Sequence, residues 1–168
     1  MLTFMSTILE SAELGALVRL DPALEPNELE WRIVYVLPHM LPQLQNDLPA
    51  YVSQWRVESS PLQQFDAMLE VFCSGETLTF DRMFKPLTHI QDGIWELKTP
   101  DLRLFGWFPI KDCFVMGAMD TAFKVRTHNL YVGYANVVAY RRNQLSLDAP
   151  KFIPGTDPND VVSNYDFP

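Results

Sequence analysis

The sequence predicts an α+β fold: a small antiparallel-meander sheet packed with helices, preceded by a helical or irregular N-terminal extension. Three observations predict it. Residues 93–98 and 102–108 interleave ionic with large apolar side chains across a short turn, in Gly93-Ile94-Trp95-Glu96-Leu97-Lys98 and Leu102-Arg103-Leu104-Phe105-Gly106-Trp107-Phe108. That alternation is the signature of a hairpin with one packed face. Residues 113–119 are almost wholly apolar, as a central strand covered on both faces would be. Leu62, Phe65, Met68, Leu69 and Phe72 recur at the spacing of an amphipathic helix.

Taken in order, residues 4–19 carry Ile8, Leu9, Ala12 and Ala16 near helical spacing, with Ser6 placed to cap. Asp21-Pro22 and Glu25-Pro26 break that pattern. The run Trp31 to Leu37 is dense in β-branched and aromatic residues and fits either a strand or a helix. Pro38, Pro42 and Pro49 allow only short helices after it. Residues 1–50 therefore read as an acidic, appended extension. Residues 52–57 read as a strand, and 61–72 as a helix with proline in its first turn and Ser74-Gly75 at its end. Residues 77–92 read as a connection whose Phe80, Met83 and Phe84 cover the core. Strands at 93–98, 102–108 and 112–119 follow, with turns at Thr99-Pro100-Asp101 and Pro109-Ile110-Lys111. A loop bearing Lys124, Arg126 and His128 leads to a helix over 128–144, striped by Tyr131, Tyr134, Ala135 and Val138. The α+β domain spans 51–148, and residues 149–168 form an extended tail rich in Pro, Asp and Asn.

Charge limits the function classes. The net charge of −8 opposes a nonspecific nucleic-acid binder, because phosphate binding needs local positive potential. The acids concentrate at the ends: residues 1–50 carry seven acids against two bases. Residues 111–142 run the other way, with Lys111, Lys124, Arg126, Arg141 and Arg142 against Asp112 and Asp120. No apolar run approaches the roughly 20 residues of a membrane helix, and Met1 to Met5 lack the basic start of a signal peptide. A cytoplasmic location and no membrane partner are expected. Cys73 and Cys113 stand far apart in apolar surroundings and read as buried free thiols. No His, Cys or acid spacing indicates a metal, and no glycine-rich phosphate loop exists.

The order strand, helix, three-strand meander, helix over about residues 51–147 resembles the RelE/ParE toxin superfamily, in its HigB-like, phage-related branch. The resemblance is carried by Ser59-Ser60-Pro61-Leu62-Gln63-Gln64-Phe65, by Phe84-Lys85-Pro86-Leu87, by Asp92-Gly93-Ile94-Trp95-Glu96-Leu97-Lys98 with Arg103-Leu104-Phe105, and by Ala139-Tyr140-Arg141-Arg142. Those toxins cut mRNA, usually in the ribosome, and the resemblance implies a metal-independent endoribonuclease with no cofactor. In that chemistry the ribose 2′-OH loses a proton and attacks the adjacent phosphate. Cations surround the phosphorane, and the 5′-oxygen gains a proton. Carried over by position, Lys98 and Arg103 stand on the sheet. Lys124 and Arg126 supply charge from the loop, and His128 or Tyr131 acts as acid or stacking group. Tyr131, Arg141 and Arg142 are the implied RNA contacts. A cognate antitoxin or other protein partner, and mRNA on the ribosome, are the implied partners.

A bland reading stands beside each of these. Glu96 and Lys98 fit a solvated pair, Arg103 a half-buried ion pair with Glu96, and Lys124 with Arg126 a solvated loop. His128 fits an ordinary helix start, Tyr131 and Tyr134 fit the core, and Arg141-Arg142 complement a helix C-terminus. Residues 120–128 hold two permanent cations and one acid, where the family carries a dense lysine segment. The second functional reading follows from that difference. It is a catalytically degenerate RelE-type binding module, or a phage accessory protein whose acidic surface mimics nucleic acid.

Overall fold

A computed structural model of the chain describes residues 2–87 and 89–168, and for residues 2–7 the backbone alone. The fold is α+β. Its main sheet has six strands: β1 (Val18–Arg19), β2 (Ile33–Val36), β4 (Phe84–Pro86), β5 (Ile94–Lys98), β6 (Leu102–Ile110) and β7 (Cys113–Thr121). They lie in the order β1-β2-β7-β6-β5-β4. Strands β4 to β7 form the antiparallel meander, and β2 joins β7 in parallel, Ile33 opposite Cys113 and Val36 opposite Met116. A second, two-stranded sheet pairs β3 (Leu78–Thr79) with β8 (Tyr165–Asp166).

The sheet separates two cores. On one face α2 (Pro61–Cys73) lays Phe65, Leu69 and Phe72 against Trp95, Leu97, Phe108 and Phe114. On the other, α4 (Tyr131–Gln144) packs Ala135, Val138 and Ala139 on Ile94, Phe105 and Val115, with Ile8 of α1 (Leu2–Glu13) and Val125 of α3 (Ala122–Thr127) alongside. The apolar run of β7 is explained by this sandwich, since its residues alternate between the two cores. Trp95 and Phe105 are both fully buried.

Local chemistry sets the elements. Ser60 caps α2 with a reciprocal pair of bonds: its Oγ accepts from the Gln63 amide at 3.2 Å, and Gln63 Oε1 accepts from the Ser60 amide at 2.9 Å. Gly75 then takes φ +82°, and a Cβ there would come within 2.8 Å of Trp31 Cβ. At Gly106 a Cβ would meet the Val115 carbonyl oxygen at 2.0 Å. Glycine is required where β6 bulges against β7.

Several expectations are corrected. Residues 1–50 are not an appendage, because β1 and β2 belong to the main sheet and Val34, Val36, Met40 and Leu48 sit in the α2-side core. The physical reason is edge protection: without β2 the apolar β7 would present open backbone groups. Residues 52–57 form no strand; Val52 and Trp55 turn outward, and the segment's amides bond side chains instead. The connection 77–92 holds β3 and β4. The loop after β7 is helical, α3, capped by Thr121 Oγ1 on the Lys124 amide. Asn129, at φ +50°, separates α3 from α4, so the last long helix starts at Tyr131 rather than 128. The tail is packed, with α5 (Pro158–Val161) and β8, and Val161 and Val162 are buried.

Arg32 ties these distant pieces together. It is fully buried. Its Nη1 donates to the Phe72 carbonyl at 2.8 Å, and its Nη2 to the carbonyls of Glu76 (2.9 Å), Ser163 (2.6 Å) and Asn164 (3.1 Å). Asp112 Oδ1 lies 3.5 Å from its Nε and also accepts the Ser163 amide at 2.8 Å. One guanidinium thus joins the start of β2, the end of α2, the β6–β7 turn and the tail. Arg32→Ala removes four buried hydrogen bonds and the cation beside Asp112, and is expected to lower unfolding free energy by about 3 kcal/mol, measured by urea denaturation. The exposed pair Arg19–Glu30 supplies the control, with Arg19→Ala within about 0.5 kcal/mol of wild type. Equal midpoints for the two variants would contradict this role.

Candidate functional site

The meander register gathers charge on the sheet face that α4 covers. Lys85 of β4 lies opposite Glu96 of β5, while Lys98 lies opposite Arg103 of β6, and Arg103 opposite Asp120 of β7. Alternation puts Glu96 and Lys98 on the same face as Ile94, and Arg103 on the same face as Phe105. Tyr134 of α4 stacks on Phe105 at 5.0 Å and donates its hydroxyl to Asp120; Tyr131 meets Phe105 edge-on at 6.2 Å.

Glu96 is the unusual member. It is fully buried, and neither carboxyl oxygen has a hydrogen-bond partner among the described residues. Burial pushes its pKa up, and the pull of Lys98, Arg103 and Lys85 in the other direction does not offset it. Lys98 Nζ stands 3.9 Å from Glu96 Oε1 and donates to the Asp81 carbonyl at 2.6 Å. Burial pushes the Lys98 ammonium down, against the attraction of Glu96. Arg103 Nη1 donates to the carbonyls of Thr99 (2.7 Å) and Leu102 (2.9 Å), and its Nε is buried without a partner among the described residues. Both are half-buried: Arg103 holds its own turn, and Lys98 ties β5 to the Asp81 carbonyl.

These two cations border a cleft of about 610 Å³ between α2 and the β5–β6 turn. Ala67, Met68, Val71 and Met83 give it an apolar floor. Arg82 adds a third cation at the rim; it is exposed and has no hydrogen bond or ion pair among the described residues. A smaller pocket of about 300 Å³ lies by the start of α4, where Lys85, His89, Asn129 and Tyr131 meet.

Asp101, in the turn itself, positions the surroundings. Its Oδ2 accepts from Gln64 Nε2 at 2.6 Å, and Gln64 Oε1 accepts from the Asp101 amide (2.9 Å) and from Thr99 Oγ1 (3.1 Å). Its Oδ1 accepts from the Gln54 amide at 2.9 Å, and its carbonyl accepts from the Ala122 amide at 2.7 Å. Burial works against the Asp101 charge, but hydrogen bonds from Ser53, Gln64, Gln54 and Trp55 outweigh it and hold the carboxyl below its usual range.

The remaining candidates disperse. Lys124 pairs with Asp120 at 3.9 Å and so adjoins Arg103. Arg126 lies 5.5 Å over the Trp55 ring. His128 ends α3 and is exposed. Arg141 donates to the Gly117 carbonyl at 2.8 Å. Arg142 is a correction: only 4% exposed, it donates to the Asp92 carbonyl and stacks 3.6 Å over Phe152. Burial pushes its pKa down, and a cation enclosed this way braces the tail rather than meeting RNA. Arg82, Lys85, Gln64 and Asp101 were missed by the sequence reading. Asp101 after Pro100 was a readable turn signal; Arg82 was not, because only the fold brings the β3–β4 turn to the rim of the cleft.

Among the described residues no group of three His, Cys, Asp or Glu side chains stands ready for a metal ion, and no helix is long and apolar enough to cross a membrane. Comparison with known proteins matched this chain to no family model, no curated relative and no solved structure.

The two carboxyls give pH dependences of opposite sign. With its folded pKa raised, Glu96 costs nothing in acid and increasingly destabilises the fold as pH rises through the ordinary carboxylate range, up to the folded value. Glu96→Gln should therefore melt higher than wild type at neutral pH and level with it in acid. With its folded pKa lowered, Asp101 contributes fully above the ordinary range and is lost as pH falls through the folded value. Asp101→Asn should melt lower at neutral pH, with the gap closing in acid. Thermal melts across pH check both; parallel curves for either variant would contradict the assignment.

Proposed function

We propose that this chain is a RelE/HigB-like toxin-type protein that binds and cleaves RNA at the rim formed by Arg82, Lys98 and Arg103. The observation that carries the reading is the meeting of Lys98 and Arg103 across the hairpin at the mouth of the 610 Å³ cleft. A phosphodiester seated there faces three cations that offset the charge of the pentacoordinate phosphorus. The 2′-oxygen bonds to phosphorus, the bond to the 5′-oxygen breaks, and one proton leaves the first oxygen while one reaches the second. Glu96 lies beneath the surface and does not touch substrate. Its carboxyl stands 3.9 Å from the Lys98 ammonium, which donates to the Asp81 carbonyl. His128 ends α3 and His89 lines the smaller pocket, and neither lines this cleft.

Induced expression is expected to arrest growth and shorten mRNA. Arg82→Ala, whose side chain holds no internal bond among the described residues, should lower cleavage by about 100-fold with unchanged melting. The triple variant Lys98→Ala/Arg103→Ala/Arg126→Ala should abolish arrest. Normal growth and intact RNA with folded wild-type protein would overturn the reading.

A second reading is favoured by a different observation: Lys98 and Arg103 already donate to Asp81, Thr99 and Leu102 carbonyls, and the cleft floor is apolar. On it the chain is a binding module, or a phage accessory protein, that seats a protein segment in the cleft. A stable copurifying protein, released by Met68→Asp with folding intact, would support it; unchanged capture by that variant would count against it.

A further inference from the structure

Two large aromatic side chains remain open to solvent next to each other at the edge of this site. Trp55 is 42% exposed and Phe123 43% exposed, and their rings lie 5.8 Å apart. Single exposed aromatics are ordinary on protein surfaces, but a contiguous pair marks a binding site. The Arg126 guanidinium covers the Trp55 ring at 5.5 Å. Arg56 follows Trp55 in the chain, and Lys124 follows Phe123. The acids nearby are limited: Asp101 is buried in its own bonds, Asp120 is buried and taken by Tyr134 and Lys124, and Glu58 is exposed.

The platform is held from below. The Asp101 carboxylate accepts the amides of Gln54 and Trp55, and its carbonyl accepts the Ala122 amide at the start of α3. One turn residue therefore fixes both elements that carry the rings, and the same turn separates Lys98 from Arg103. With the backbone beneath each ring held this way, only side-chain torsions remain to be fixed when a ligand stacks on it.

We propose that Trp55, Phe123 and Arg126 form a stacking platform for an unpaired base of single-stranded RNA whose backbone continues to the Arg82–Lys98–Arg103 rim. The inference rests on the RNA reading above and extends it to a site that reading does not use. An aromatic face flanked by permanent cations suits single-stranded nucleic acid: every base has a face to stack, and each phosphate meets positive charge. Charge decides against an acidic mimic here, because this patch is locally basic on a chain of net charge −8.

The test uses the full chain and a fluorescein-labelled ten-nucleotide oligouridine, with affinity read by anisotropy at two salt concentrations. Trp55→Ala should weaken binding by about tenfold, Trp55→Phe should restore most of it, and a duplex of equal length should not distinguish the variants. Phe123→Ala should act in the same direction. Wild-type binding that Arg82→Ala lowers but Trp55→Ala and Phe123→Ala leave unchanged would overturn the platform alone. No oligouridine binding by wild type would overturn the platform and the RNA reading together. Release of a copurifying protein by Trp55→Ala, with oligouridine affinity unchanged, would make the patch a protein-docking surface and overturn the proposal.

Discussion

The hydrogen bond between Gln64 and Asp101, 2.6 Å long and buried, is the constraint on which the functional edge depends. It locks α2 to the β5–β6 turn, and so fixes one wall of the cleft relative to the other. The same Asp101 holds the outward-turned segment around Trp55 and the start of α3. Each partner is also satisfied in the network, since Gln64 uses both its amide oxygen and its amide nitrogen. A buried polar network of this kind specifies one arrangement because any half-formed alternative leaves a polar group unpaired. The site's geometry is therefore inherited from a single turn.

Charge in this protein is mostly engaged within the fold. Arg32 and Arg142 are enclosed and donate to backbone carbonyls of distant segments. Lys98 and Arg103 hold the turn and its neighbour, while Glu96 stays buried behind them. Arg82 stands apart as an exposed cation at the cleft without such ties among the described residues. This division explains how a chain of net charge −8 keeps a local cationic edge: cations anchored by backbone carbonyls are not cancelled by surface acids. It also means that an arginine-to-alanine effect at position 103 mixes turn stability with any contact to ligand.

What was readable from sequence were the local features. The hairpin at 93–108, the buried Trp95 and Phe105, the α2 helix with Pro61 in its first turn and the doubly covered β7 all follow from patterns within ten residues or so. What was not readable depends on distant partners. Arg32 bonds a carbonyl 131 residues away, and β2 meets β7 far along the chain, Ile33 opposite Cys113. The charged residue inside the apolar run Trp31 to Leu37 was a signal of a paired buried group, although its partners were beyond local reasoning. Trp55 was misread because its apolar spacing imitates a strand, whereas Asp101 claims the backbone amides that a strand would need. The tail read as extended because Pro, Asp and Asn were taken as linker composition; Asp157 before Pro158 is in fact a helix start, with Asp157 Oδ1 accepting the Asn159 amide.

The central claim is that RNA lies along one edge of this molecule, from the cationic cleft to the aromatic pair. Photocrosslinking of oligonucleotides carrying 4-thiouridine, followed by mass spectrometry of the modified peptides, tests it most directly. The account predicts adducts on peptides containing residues 82–83, 98–103, 55 and 123, lost together when unlabelled single-stranded RNA competes. Adducts confined to the outer face of α4 or to the tail, or none at all from folded protein, would contradict it.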